Sequence, residues 1–138
     1  SRFGQGGRAP EATVARIDAL LLAGERPAAL ALLESLDPAS LPRGAELRVL
    51  RAELRAEAGR CADALPDFEG ALSPSAGRPD SGQAGGGGLA ERALWGRLSC
   101  RSRLGNPAGT REDLARYLEM YPQGRFAAAA RRALSGER

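Results

Sequence analysis

The sequence contains no histidine and no lysine, two valines, one isoleucine, two cysteines and six aromatic residues among its 138. Each shortage excludes something. Without histidine there is no imidazole to serve as a general base or to ligate a metal. The separated Cys61 and Cys100 do not make a zinc site by themselves. The serines and threonines have no histidine or lysine to activate them as nucleophiles. Scarce β-branched Val and Ile argue against an extensive sheet. No apolar run approaches the ~18 residues of a membrane span, and no signal peptide is visible. The glycine tract Gly85–Gly88 lacks the Gly-Lys-Ser/Thr ending of a phosphate loop and follows no strand pattern. The expectation is a chain with no catalytic, cofactor-binding or metal site.

What is present suits packed helices. Hydrophobic residues make up 43% of the chain, mostly Ala and Leu, which have the highest helix propensities. Twenty basic residues, all Arg, face 17 acidic ones for a net charge of +3. Arg can simply coat a solvated face, or it can bind carboxylates and phosphates in bidentate fashion.

Residues 1–9 are rich in Gly and Arg and read as a flexible linker cut from a longer protein. Pro10 suits a first helical turn, and Val14, Ile17, Leu20 and Leu21 follow at helical spacing up to Gly24. Pro27 opens a second helix with Ala29, Leu33 and Leu36 on its buried side. The next helix starts near Gly44 and carries two apolar stripes, Leu47-Leu50-Leu54-Ala58 and Ala45-Val49-Ala52-Ala56. Two stripes imply neighbours on two sides. After Gly59 a helix carries Ala64, Phe68 and Ala71, with Pro66 inside it as a possible kink. Residues 76–88 read as a flexible Gly-rich insertion that cannot bury apolar surface. A broadly apolar helix from Leu89 to Leu104 has Arg92, Gly96, Ser99 and Arg103 as its polar face. Thr110 and Asp113 form a candidate capping box for a helix buried through Leu114, Tyr117, Leu118 and Tyr121. A last helix with Phe126, Ala127, Ala130 and Leu134 fits a cap over an open end. Trp95 and Tyr121 read as core residues from their helical registers.

Three landmarks recur at one interval. Gly24 and Gly59, Ala29 and Ala64, and Leu33 and Phe68 are each 35 residues apart. Phe68 and Tyr117 are 49 apart, and the excess is assigned to the Gly-rich insertion and a longer turn at 106–109. This interval, and the Ala64–Phe68–Ala71 stripe above all, resembles the tetratricopeptide-repeat family over roughly residues 10–136. The family's Trp and Leu-Gly are not matched in register, Pro74 comes early, and Asp113 stands where a small residue belongs. The resemblance implies an all-α solenoid of three helical hairpins, about 10–38, 44–74 and 89–122, capped by a helix over 124–136. The ending DLARYLEMYPQGRFAAAARRAL resembles C-terminal repeats of bacterial cell-envelope tetratricopeptide proteins, such as outer-membrane-assembly lipoproteins and Tol–Pal-associated coordinators. The Arg-rich, Ala-rich composition is also similar to repeat domains appended to membrane-linked regulators of sigma factors.

In such a solenoid the helices bearing Cys61 and Cys100 are neighbours. The pair is then either two unlinked core residues or a disulfide closing a loop of about 40 residues, which stabilises by roughly 3–4 kcal/mol on the chain-entropy model and points to an oxidising compartment. First helices of these hairpins line the concave groove. Arg48, Arg51 and Arg55, with Arg97 and Arg101 in the next repeat, would make that groove basic and suited to acidic peptides or C-terminal carboxylates. The alternative is a solvated face paired with nearby Glu. The expected role is a non-catalytic interaction module that binds a peptide or partner protein in the bacterial periplasm or envelope, with the cytoplasm as the other location. Nucleic-acid binding is the weaker alternative, because acidic residues nearly balance the basic ones and no aromatic lies among the arginines. A structural spacer or oligomerisation unit is the third.

Overall fold

The computed structural model describes the backbone over residues 2–73 and 83–136, and the side chains over 10–73 and 88–136. The described residues form seven α-helices and one short 3-10 turn, with no strand. The helices are α1 (Arg2–Leu22), α2 (Arg26–Glu34), α3 (Gly44–Glu57), α4 (Cys61–Leu72), α5 (Gln83–Arg103), α6 (Pro107–Met120) and α7 (Ala127–Gly136). Each helix packs on the next in the chain, and α3 also touches α5.

The turns explain why the helices pair. Gly24, Gly59 and Gly105 follow α1, α3 and α5, with φ of 80°, 82° and 79°. That left-handed conformation is open to glycine at little cost. In each turn the glycine N–H donates to the carbonyl three residues back, and the next N–H donates to the carbonyl five residues back. The Arg60 N–H, for example, reaches the Arg55 carbonyl at 2.8 Å. This double closure satisfies carbonyls left open at a helix end. The recurrence is 35 residues and then 46, measured on the glycines. The 49-residue offset drawn between Phe68 and Tyr117 therefore equates the wrong landmarks, since the residue equivalent to Phe68 is Leu114.

Three cores run through the chain. Val14, Ile17, Leu33, Leu47 and Leu54 join α1, α2 and α3. Val49, Ala52, Ala64, Phe68, Ala93 and Cys100 join α3, α4 and α5. Leu94, Leu98, Leu114, Tyr117, Ala127 and Ala130 join α5, α6 and α7. The two stripes of α3 divide between the first and second cores, as two-sided patterning requires. Helix α5 likewise serves the second and third.

Several local features differ from the sequence reading. Residues 2–9, expected to be a flexible linker, continue α1. Of the expected insertion 76–88, residues 76–82 lie outside the described residues and 83–88 lie within α5. Extending a formed helix costs less than nucleating one, so poor helix formers can join a helix that strong neighbours have started. The capping box at Thr110 and Asp113 does not form. Asn106 caps α6 instead, its side chain accepting from the Gly109 N–H at 3.0 Å. The polar face of α5 is an interface: Arg92 pairs with Glu53, and Gly96 lies so close to the Phe68 ring that a Cβ there would overlap it. Helix α4 continues through Pro66.

The end formed by α5, α6 and α7 is the aromatic one. Trp95 stacks on Phe126 at 4.7 Å between ring centroids and meets Tyr117 edge-on at 5.5 Å. The Tyr117 hydroxyl donates to the Glu91 carboxylate and accepts from the Phe126 N–H at 3.0 Å. Glu91 also accepts from the Arg125 N–H at 3.1 Å, so one buried tyrosine fixes the turn into α7.

Candidate interaction surface

The five arginines expected to line a groove divide into two clamps and one remainder. Arg51 and Arg55 project from α3, and both reach Asp67 on α4. Arg51 makes a bidentate pair, with both contacts at 2.8 Å, and Arg55 adds Nη1 at 3.3 Å. Arg97 and Arg101 repeat the arrangement from α5 to Asp113 on α6. Arg97 is bidentate at 3.0 and 2.8 Å, and Arg101 approaches at 3.0 Å. Asp67 and Asp113 are the two buried charged side chains among the described residues, 7% and 2% exposed. Arg48 stands apart, its guanidinium over the Gly70 backbone.

The clamps also reach back to the preceding helix pair. Glu34 on α2 accepts from Arg55 and from Arg60, both at 2.9 Å. Those two guanidiniums, Arg55 first, hold the Glu34 carboxyl below its ordinary value. Glu69 on α4 stands 3.7 Å from Arg101. Each second arginine thus lies between an acid of its own helix pair and an acid of the previous one. Much of the positive charge that the sequence places along this side is neutralised inside the fold. A carboxylate buried against two fixed guanidiniums acts as an anchor. Removing it would leave the first arginine of the clamp partly buried without its bidentate partner and the second with only the acid of the previous pair, and breaking a buried pair typically costs about 3–5 kcal/mol.

The spacing that carries both clamps is visible in the sequence. Arg-x3-Arg-x11-Asp occurs at Arg51, Arg55 and Asp67 and again at Arg97, Arg101 and Asp113. Aligning Phe68 with Tyr117 hides it, because that offset is three residues longer than the 46 between Gly59 and Gly105. Two copies must be aligned on their glycines before the Asp is seen to belong with the Arg pair rather than with a helix cap.

A cleft of about 580 Å³ opens beside the second clamp. It is lined by Arg97 and Arg101 of α5 and by Glu112, Asp113, Ala115, Arg116, Glu119 and Met120 of α6. Arg116, Glu112 and Glu119 are exposed and make no ion pair among the described residues. Met120, 52% exposed, is a large apolar side chain at the rim. The cleft therefore offers unpaired charges of both signs and one flexible apolar contact on a wall held rigid from behind. It carries no group of carboxylates or thiols arranged for a metal, and none occurs among the described residues.

The sulfurs of Cys61 and Cys100 lie at disulfide distance, with Cα atoms 5.1 Å apart, where α4 meets α5. Among the described residues no helix is long and apolar enough to cross a membrane. No protein-family model matches the chain, and neither a curated protein nor a solved structure matches it.

Proposed function

We propose that the chain is a tetratricopeptide-like solenoid that binds a peptide or partner protein through the cleft between α5 and α6, without catalysis. The observation that carries this reading is the repeated Arg–Arg–Asp clamp. It ties the two helices within the second pair and within the third, and it engages the α5 arginines of the cleft internally, so the uncommitted side chains there belong to α6. A preorganised surface loses little entropy on binding. Arg116 beside Glu112 and Glu119, with Met120 at the rim, suits a peptide of mixed charge with an apolar side chain. It suits a polyanion less well, and the neutralised clamps weigh against nucleic acid, which needs unpaired cations for phosphate contacts. The Cys61–Cys100 pair supports an oxidising setting such as the bacterial periplasm or envelope.

The test is selection from a displayed peptide library, followed by titration of the recovered peptides. Arg116→Glu with Met120→Ala should weaken them at least tenfold, which corresponds to about 1.4 kcal/mol. Failure to select any peptide, or binding indifferent to both substitutions, would remove this reading.

A second reading, self-association, has one observation in its favour. Ala12, Ala15, Ala19 and Leu22 share one side of α1 and are exposed, Leu22 by 89%. A sedimentation series that gives a concentration-dependent mass, abolished by Leu22→Glu, would favour it.

A further inference from the structure

The two cysteines occupy unlike surroundings, and the difference assigns them different chemistry. Cys100 lies inside α5 and is fully buried among Val49, Ala52, Phe68 and Ala93. Cys61 is the first residue of α4 and is 5% exposed. Arg103, three residues beyond Cys100 on α5, places Nη1 3.5 Å from the Cys61 Sγ. The same nitrogen donates to the Ala56 carbonyl at the end of α3, at 2.8 Å. The guanidinium is therefore anchored by a backbone contact that does not depend on the sulfur. A cation and the amides of a helix start both favour a thiolate, whereas apolar burial favours the thiol.

We propose that Cys61 and Cys100 form a redox-responsive latch between the second and third helix pairs, in which Cys61 is the sulfur that reacts first. In the reduced protein the Cys61 thiolate attacks one sulfur of a low-molecular-weight disulfide. A mixed disulfide forms on Cys61 and one thiolate leaves. Cys100 then gives up its proton and attacks the Cys61 Sγ, expelling the second thiol. Two protein thiols and one small disulfide become one protein disulfide and two small thiols, so the two protons and the electron pair balance. The new bond ties α4 to α5 across the 73–82 connection, and a dithiol reductant reverses it. Reduction removes the covalent tie but leaves the apolar contacts of the second core, so the expected change is looser docking of α5 on α4 rather than unfolding. This latch does not depend on what the α6 cleft binds.

The experiment uses the full chain, reduced and desalted, with oxidised glutathione as the probe. Acid quenching at early times and peptide mapping should place glutathione on Cys61 of the wild-type protein. Cys100→Ser should accumulate the Cys61 adduct, and Cys61→Ser should stay unmodified until denaturant is added. Arg103→Gln should slow the Cys61 reaction by about three- to tenfold, because part of the lost thiolate fraction is offset by a stronger nucleophile. Amide exchange in α4 and α5 should be severalfold faster in the reduced than in the oxidised protein. Glutathione appearing first on Cys100, or equal exchange in the two redox states, would overturn the proposal. The wild-type mapping needs no variant to fold.

Discussion

Counted from the turn glycines, the first and third helix pairs place different residues in equivalent positions. Four residues before the glycine stand Leu20 in the first pair and Arg101 in the third, and eight residues after it stand Leu32 and Asp113. Eight before it, both carry arginine, as Arg16 and Arg97. In the first pair Leu20 and Leu32 pack against the core while Arg16 is exposed. In the third, Arg97 and Arg101 turn onto the buried carboxylate of Asp113. One backbone geometry thus tolerates either two leucines or a desolvated ion triad. The leucines gain by leaving water, at roughly 25 cal/mol per Å² of apolar surface. The triad must overcome desolvation of three charges, so its net contribution is small while its loss is expensive. It gains directionality: a bidentate Arg–carboxylate pair admits few alternative registers, whereas two leucines can slide.

The largest expected effect tests that asymmetry directly. Asp113→Ala should destabilise the chain by about 3–5 kcal/mol in urea unfolding. Asp67→Ala should cost less, because Arg55 retains Glu34 at 2.9 Å. Leu32→Ala, at the corresponding place in the first pair, is only partly buried and should fall below the ~2–5 kcal/mol of a fully buried leucine. Equal costs at all three positions would break the comparison.

The second experiment converts one solution into the other. The triple variant Arg97→Met, Arg101→Leu, Asp113→Leu gives the third pair the two leucines of the first, and replaces the arginine that would otherwise be left without its carboxylate. Its stability should equal the wild type or exceed it by up to about 4 kcal/mol. A loss of more than about 2 kcal/mol would mean that the slot is shaped for the ions and not merely tolerant of them.

How much of this was legible beforehand depends on the kind of signal. The turn at Gly59 and the paired stripes of α3 follow from backbone freedom and helical periodicity, which are local, and both stand in the structure as read. The identity of Arg51, Arg55, Arg97 and Arg101 as internal anchors was not legible from one helix at a time. Arginine on a polar stripe looks the same whether it faces solvent or a buried aspartate on the next helix. The second residue is what decides, and the local spacing of Asp113 from Thr110 points instead to a capping box. Periodicity puts Arg103 on a polar face of α5, and the structure sets that residue against Cys61. The pairing of Cys61 with Cys100 was one of two open readings, because it required the relative placement of two helices, which spacing alone does not specify.

Alkaline pH separates the two ends of the chain. Both tyrosines, Tyr117 and Tyr121, lie at the third helix pair. Burial, and then the Glu91 carboxylate, push Tyr117 up to about 12. A folded value above the unfolded one means that the folded protein holds this proton more tightly. The contribution is complete below about pH 10 and is lost as pH rises from there toward 12, by no more than about 2–3 kcal/mol. Tyr117→Phe should flatten the fall in Tm over that range. Amide exchange should show the alkaline loss in α6 and α7 before α1 and α2. Simultaneous loss along the whole chain would mean that the ends unfold as one unit.

The smallest effect concerns the junction of the first pair with the second. There Arg26 of α2 meets Glu57 of α3 in a bidentate pair at 2.8 and 2.6 Å, with both side chains about half exposed. Its geometry matches that of the buried clamps, and its solvation does not. Arg26 holds the Glu57 carboxyl below its ordinary value. The contribution is therefore present at neutral pH and fades as pH falls below the unfolded carboxylate value of about 4.3. Glu57→Gln should cost no more than about 1 kcal/mol, and raising the salt to about 1 M, where the Debye length is about 3 Å, should shrink that difference further. Asp113→Ala should keep most of its cost in the same salt, because its partners are screened by protein rather than by ions. If salt reduced both costs by the same fraction, burial would not be what distinguishes the clamps from an ordinary surface pair.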